Sequence, residues 1–294
     1  MFGKYCTKNL HIKVMQFIFF VTISSTAQFG GRVDCGIIEN SEINEASGIA
    51  SSKIYEDVLY VHNDSGDKSR IFAINKKGKS LCEFHLLNCQ ARDWEDVATG
   101  PGPLDSCSYI YVGDIGDNEA KYDIKYIYRF PEPNLSVIDS QKVVIVQNVD
   151  KIRFRYSDGK FDAEALMVDP LTKDIFIASK RDLKVRLYQI RYPQSLTKIN
   201  TMKCIDTLDV SIVVAADISS SGTEIIMKNY HEVYYWQRGR GESVQRALSR
   251  MPRKLTYVKE RQGEALAWDK HSDGYFTMSE QTNSHLYYYP RISK

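Results

Sequence analysis

The sequence predicts an all-β chain folded as a β-propeller of five blades, each of four antiparallel strands, with six blades as the alternative. Three observations lead there. Short runs rich in Val, Ile, Tyr and Phe are broken by Gly, Asp, Asn and Pro, and almost no stretch has helical periodicity. A short unit, an acidic or small residue followed two positions on by an aliphatic one, begins at positions 47, 95, 164, 216 and 264, at intervals of 48, 69, 52 and 48 residues. The last copy runs out of chain one strand early, and the segment ahead of the first copy is free to complete it.

The unit itself is the first strand of each blade: Ser47-Gly48-Ile49, Glu95-Asp96-Val97, Glu164-Ala165-Leu166, Ala216-Asp217-Ile218 and Glu264-Ala265-Leu266. Second strands follow at 58–62, 109–113, 174–179, 224–228 and 275–279. Third strands centre on Tyr or Phe, as in Ile71-Phe72-Ala73-Ile74, Val233-Tyr234-Tyr235-Trp236 and Leu286-Tyr287-Tyr288-Tyr289. Fourth strands are clearest at 81–87 and 143–147. Residues 36–39 are the closing strand of the last blade, which ties the termini together and removes exposed sheet edges. The long second interval, where 143–156 offers two strands for one position, is where a sixth blade would hide.

Residues 1–27 read as a cleaved signal peptide, and 28–294 as one propeller domain. Lys4, Lys8 and Lys13 precede a short apolar run ending at small residues Ser25-Thr26-Ala27, and about ten apolar residues are too few to span a bilayer. Loss of those three lysines takes the formal net charge from +2 to −1, which argues against nucleic-acid binding. The expectation is a secreted, extracellular protein with no stable membrane insertion. One basic stretch, Arg238 to Arg261, reads as a solvated loop and edge strand, with an anionic-glycan site as the alternative. Five cysteines, an odd number, remain after the signal, and their clustering favours a local disulfide such as Cys89 with Cys107. The sequons at Asn63 and Asn134 are glycan acceptors on export, Asn134 the better one beside two prolines.

First strands line a propeller's channel, so the repeat gathers acids from distant parts of the chain. These are Glu95, Glu164 and Glu264 at the first position, Asp96 and Asp217 at the next, and Glu45, Asp93 and Asp162 two residues earlier. Converging carboxylates repel unless a hard cation such as Ca²⁺, which takes six to eight oxygens, neutralises them. The loops Asp64-Ser65-Gly66-Asp67 and Asp114-Ile115-Gly116-Asp117 share a D-x-G-D unit whose acids fold inward or cap the turn. The candidate metal ligands are therefore Glu95, Glu164, Asp217, Glu264, Asp64 and Asp114. The competing reading is a structural network in which Lys180, Arg181 and Lys228 pair with the acids. No nucleophile elbow, P-loop or zinc-protease motif is present. His62, with Asp64 beside it, is the candidate catalytic base at the channel mouth.

The strings Asp93-Trp94-Glu95-Asp96-Val97-Ala98, Gly113-Asp114-Ile115-Gly116-Asp117-Asn118 and Tyr128-Arg129-Phe130-Pro131-Glu132-Pro133 resemble a family of secreted β-propellers marked by DWED(V/I)A and GDIGDN motifs. Phe161 to Leu166 and Gly263 to Trp268 fit the same pattern, so the resemblance covers roughly residues 45–290. More distantly the chain is similar to TolB-like, gluconolactonase-like and phytase-like propellers, and to five-bladed calcium-activated nucleotidases. In such propellers channel acids hold calcium, which implies a ligand role for Glu95, Glu164, Asp217 and Glu264 by position. Two functions follow as expectations: a calcium-binding extracellular interaction or matrix protein, or a calcium-dependent hydrolase of phosphoesters or lactones. The partner is expected to be an extracellular protein, a glycan or a small anionic ligand.

Overall fold

The computed structural model describes residues 1, 3, 28–137 and 142–293; the predicted signal segment lies outside them. The described chain opens with β1 (Gln28–Phe29) and β2 (Val33–Ile37). Blade one is β3 (Ala46–Ser51), β4 (Leu59–Asn63), β5 (Arg70–Ile74) and β6 (Ser80–Leu86). Blade two begins with β7 (Trp94–Pro101), β8 (Ser108–Asp114) and β9 (Lys125–Pro131). The chain then leaves as β10 (Lys142–Val146) and returns as β11 (Asp150–Tyr156). Blade three is β12 (Ala163–Val168), β13 (Ile175–Ser179), β14 (Val185–Ile190) and β15 (Asn200–Leu208). Blade four is β16 (Ala215–Ile218), β17 (Glu224–Lys228), β18 (Val233–Gln237) and the short β19 (Arg253–Lys254). Blade five is β20 (Gly263–Trp268), β21 (Gly274–Ser279) and β22 (His285–Ser293).

Blade five is completed by the N-terminal segment. β2 pairs antiparallel with β22, from Val33 opposite Tyr288 to Ile37 opposite His285, and β1 pairs with the far end of β22. The long second interval does not hold a sixth blade. Residues 142–146 add to blade one, parallel to β6 and opposite Cys82 to Leu86. The fourth strand of blade two is β11, antiparallel to β9. Assigning 143–147 to blade two by sequence order is thus corrected: both segments have strand composition, and only the pairing tells them apart. β11 also pairs in parallel with β15, which joins the outer edges of blades two and three.

The core explains why the strands read as continuous apolar runs. Successive side chains of a strand point to opposite faces, and in a propeller both faces meet a neighbouring blade. Ile49 accordingly packs with Ala267, Phe276 and Met278 of blade five, while Ala50 packs towards Trp94, Val97 and Ile110 of blade two. Five hydrophobic clusters result, each drawn from two adjacent blades, and the cluster joining blades five and one closes the ring. The inner strands run side by side at matching levels. Ser47 Oγ donates to Glu95 O at one end, while Thr99 Oγ1 donates to Ser51 O and Ser51 Oγ to Trp268 O at the other.

Surface expectations divide. Asn63 is buried, its amide donating to Glu42 O and Asp67, so a glycan has no access to it; Asn134 is exposed. The basic stretch is largely paired: Arg238 is buried against Asp169, Arg250 meets Glu242, and Lys254 meets Glu232. The expected disulfide is corrected. Cys35, Cys82, Cys89, Cys107 and Cys204 are all free thiols, and Cys89 packs between blades one and two while Cys107 packs between two and three. Among the described residues no helix is long and apolar enough to cross a membrane.

Candidate metal centre

A β-bulge at one blade position builds the acidic mouth of the channel. In β7 the pairing jumps from Trp94–Asp114 to Asp96–Gly113, leaving Glu95 as the extra residue. The same jump leaves out Glu164 in β12, Glu264 in β20 and Ser47 in β3. A bulge turns the extra residue away from the ladder and re-aims its side chain. Three glutamates from three blades are thereby freed from the alternation that would otherwise send them between blades. β16 has no bulge, and no glutamate.

Two sets of carboxylates result. Asp64, Asp93 and Glu95 offer oxygens within 4.8 Å of one another, and so do Glu95, Asp162 and Glu164. Oxygens this close need only small side-chain adjustments to reach the roughly 2.3–2.6 Å of calcium–oxygen bonds. Asp162 is positioned by its neighbours, accepting from Asp117 N at 2.8 Å and Arg181 Nε at 2.7 Å. Lys180 donates to Glu164 and lies 3.9 Å from Glu264, which also accepts from the Tyr230 hydroxyl. The other Glu164 oxygen is buried with no partner, which is uncommon and points to a missing one. No side-chain hydrogen bond reaches Glu95 among the described residues, and each of the two residues is only 4% exposed.

Electrostatics agree with the geometry. Burial, followed by the charges of Glu164, Asp64 and Asp93, raises the Glu95 carboxyl well above its ordinary value. Burial raises Glu164 likewise, against the pull of Lys180. Asp64 is pushed up to about 6 and Glu280, on the rim, to about 7, chiefly by burial and then by neighbouring carboxylates. Each of these carboxyls therefore holds its proton to higher pH than a free carboxyl does.

The sequence-predicted residues separate into two groups. Asp64, Glu95 and Glu164 come together with Asp93 and Asp162, and Glu264 stands beside them across Lys180. Asp114 and Asp217 join neither set. Asp114 accepts from Asp93 N at 2.9 Å and so orients the loop that carries Asp93. Asp217, on the unbulged strand, accepts from Trp268 N at 2.9 Å and fastens blade four to blade five. Asp96 does the same between blades two and three through Leu166 N. In the D-x-G-D loops the second acids cap turns: Asp117 accepts from Lys121 N and Tyr122 N and lies 3.2 Å from Lys125, while Asp67 holds Arg70.

His62 is not at the channel mouth. It is wholly buried, edge-on to Trp94 at 5.9 Å, and burial lowers its pKa to about 4, so it is a neutral packing group unable to reach solvent. Lys228 donates to Gly263 O rather than to a ring carboxylate. Tyr230 and Glu280 had no signal in the repeat because they lie in a loop and just beyond a strand end. Two cavities lie elsewhere: one of about 450 Å³ opens at the far ends of the inner strands beside Lys53, Thr99, Val168 and Ile218, and one of about 620 Å³ lies beside Glu224, Tyr235 and Arg291.

These shifts give a pH prediction. Asp64 and Glu280 keep protons in the fold at pH values where the unfolded chain has lost them, so their contribution to stability is greatest below about pH 4. It is lost as pH rises through about 6 and about 7. His62 acts oppositely, costing stability as pH falls through about 6.5. The diagnostic quantity is therefore the gain in Tm on adding calcium, which is expected to be small at pH 5 and to grow up to pH 8. A gain independent of pH counts against the acidic site.

By sequence the chain matches no family model and no curated protein. By structure it is similar to the PQQ-bound aldose sugar dehydrogenase of Streptomyces coelicolor, with a TM-score of 0.52 over 90% of this chain and 98% of that one. The two share a β-propeller fold. At 9% identity the likeness extends to the fold alone.

Proposed function

We propose that the protein is a secreted, calcium-binding β-propeller that acts by presenting an ion-braced channel mouth to an extracellular partner. The observation that carries this reading is the buried, bulge-borne Glu164 carboxylate, whose Oε2 has no partner, beside Glu95, a second bulge-borne carboxylate that receives no side-chain hydrogen bond among the described residues. The donor set is all carboxylate, with no histidine or cysteine, which favours a hard cation over zinc or copper. Calcium suits it better than magnesium, which demands near-octahedral geometry. Each set draws its ligands from two adjacent blades, one and two or two and three, so an ion would pin neighbouring blades together at the channel mouth. Secretion is supported by the N-terminal segment and by the exposed sequon at Asn134.

PQQ, which the similar dehydrogenase binds, does not fit the mouth as it stands: the cofactor carries several carboxylates, and here it would face a surplus of carboxylates. A hydrolase is favoured by one observation. Asp64 and Asp93 are partly exposed, so an ion held by Glu95, Asp162 and Glu164 would keep a solvent-facing side with Asp64 beside it. Glu95, Asp162 and Glu164 would hold an ion that could supply Lewis-acid polarisation to a phosphoester or lactone, with Asp64 placed to take a proton from water. Calorimetric titration of the mature protein with calcium tests the shared premise. Saturable binding is expected, weakened at least tenfold in Glu164→Gln. A natural chain that binds no calcium would sink both readings. Calcium-dependent turnover of a phosphoester or lactone would decide for the enzyme.

A further inference from the structure

We infer that the channel mouth takes two divalent cations bridged by the Glu95 carboxylate, an inference that rests on the calcium-binding reading above. The two sets of ligand oxygens, Asp64–Asp93–Glu95 and Glu95–Asp162–Glu164, have only Glu95 in common, and among the described residues no single set of that spacing spans both. One ion therefore cannot use all five carboxylates without rearrangement, whereas a carboxylate with two oxygens can serve an ion on each side. Glu95 alone of the five both receives no side-chain hydrogen bond and sits on a bulge between the two sets.

Each half is built separately. On one side the backbone of Gly116 closes so tightly that an added Cβ would lie 2.1 Å from Glu95 Oε1 and 2.5 Å from Asp93 Oδ2, while Asp114 orients the Asp93 loop. On the other, Asp117 N and Arg181 fix Asp162, and the unpartnered oxygen of Glu164 completes the set. Charge agrees in sign: Asp64, Asp93, Glu95, Asp162, Glu164 and Glu264, with Glu280 on the rim, outnumber the cations that act on them, Lys180, Arg181, Lys125 and Arg92. Paired metal sites with ions about 3.5–4 Å apart share ligands in this manner.

The test is the calcium stoichiometry of the mature protein by equilibrium dialysis with radioactive calcium, with circular dichroism to verify folding of each variant. Two ions per chain are expected for the natural sequence and one each for Asp93→Asn and Asp162→Asn. In Glu95→Gln both affinities should fall at least tenfold. One ion in the natural chain overturns the pair but leaves the calcium-binding reading standing. None overturns both. Two ions retained at natural affinity in Glu95→Gln overturn the bridge.

Discussion

Gly48→Ala is expected to lower the thermal unfolding temperature by roughly 6–12 °C. The residue lies on the inner strand of blade one, and an added Cβ would sit 2.4 Å from His62 Nε2, 2.7 Å from Val97 N and 3.0 Å from Asp96 Cα. Two of those atoms are backbone of the adjoining inner strand and cannot rotate away. The ring must open locally, against the cluster that joins blades one and two. Overpacking of this kind costs about 3 kcal/mol, at the upper end of the usual range. For a chain of this size each kcal/mol moves Tm by about 2–4 °C. Circular dichroism melts of the two proteins check it, and a change of less than two degrees would mean that the inner strands are looser than described.

Gly116→Ala is expected to act in the opposite way, removing calcium binding while sparing the fold. The atoms its Cβ would meet, Glu95 Oε1 and the Asp93 carboxylate, are ends of side chains that can swing aside. The backbone of Gly116 is not in the left-handed region, so alanine fits it without strain. Loss of chain entropy in the unfolded state would even add about 0.4–1 kcal/mol of stability. Swinging aside takes both carboxylates out of the ligand set, and affinity for calcium should fall at least a hundredfold. Calorimetry together with melts of the ion-free protein reads both parts. Natural affinity in the variant would place the ion away from Glu95 and Asp93.

The contrast between these glycines shows how far the repeat could be read. Residues 47, 95, 164, 216 and 264 are each the second residue of one of the five inner strands, because strand identity depends on local composition and turn chemistry. What a given residue does within that strand depends on phase, and phase depends on bulges. Glu95 and Asp96 are neighbours, yet the bulge sends the first to the channel mouth and leaves the second accepting from Leu166 N. Asp217, a candidate ligand one position on from the glutamates in the repeat, serves the next blade's backbone instead. His62 looked exposed beside the acidic loop, and its burial follows from the close approach of Gly48 and the packing of Trp94.

From its sequence alone the protein had its fold class, its five repeats, the strand that closes the ring and the acidic character of the channel. All of these follow from local patterns: alternating burial, turn residues, and spacing along the chain. Tertiary structure decided the partner of 142–146, the separation of Cys89 from Cys107, and the two carboxylate sets that meet at Glu95. Those depend on contacts between residues tens of positions apart, where one extra residue in a strand turns a side chain from one blade face to the channel.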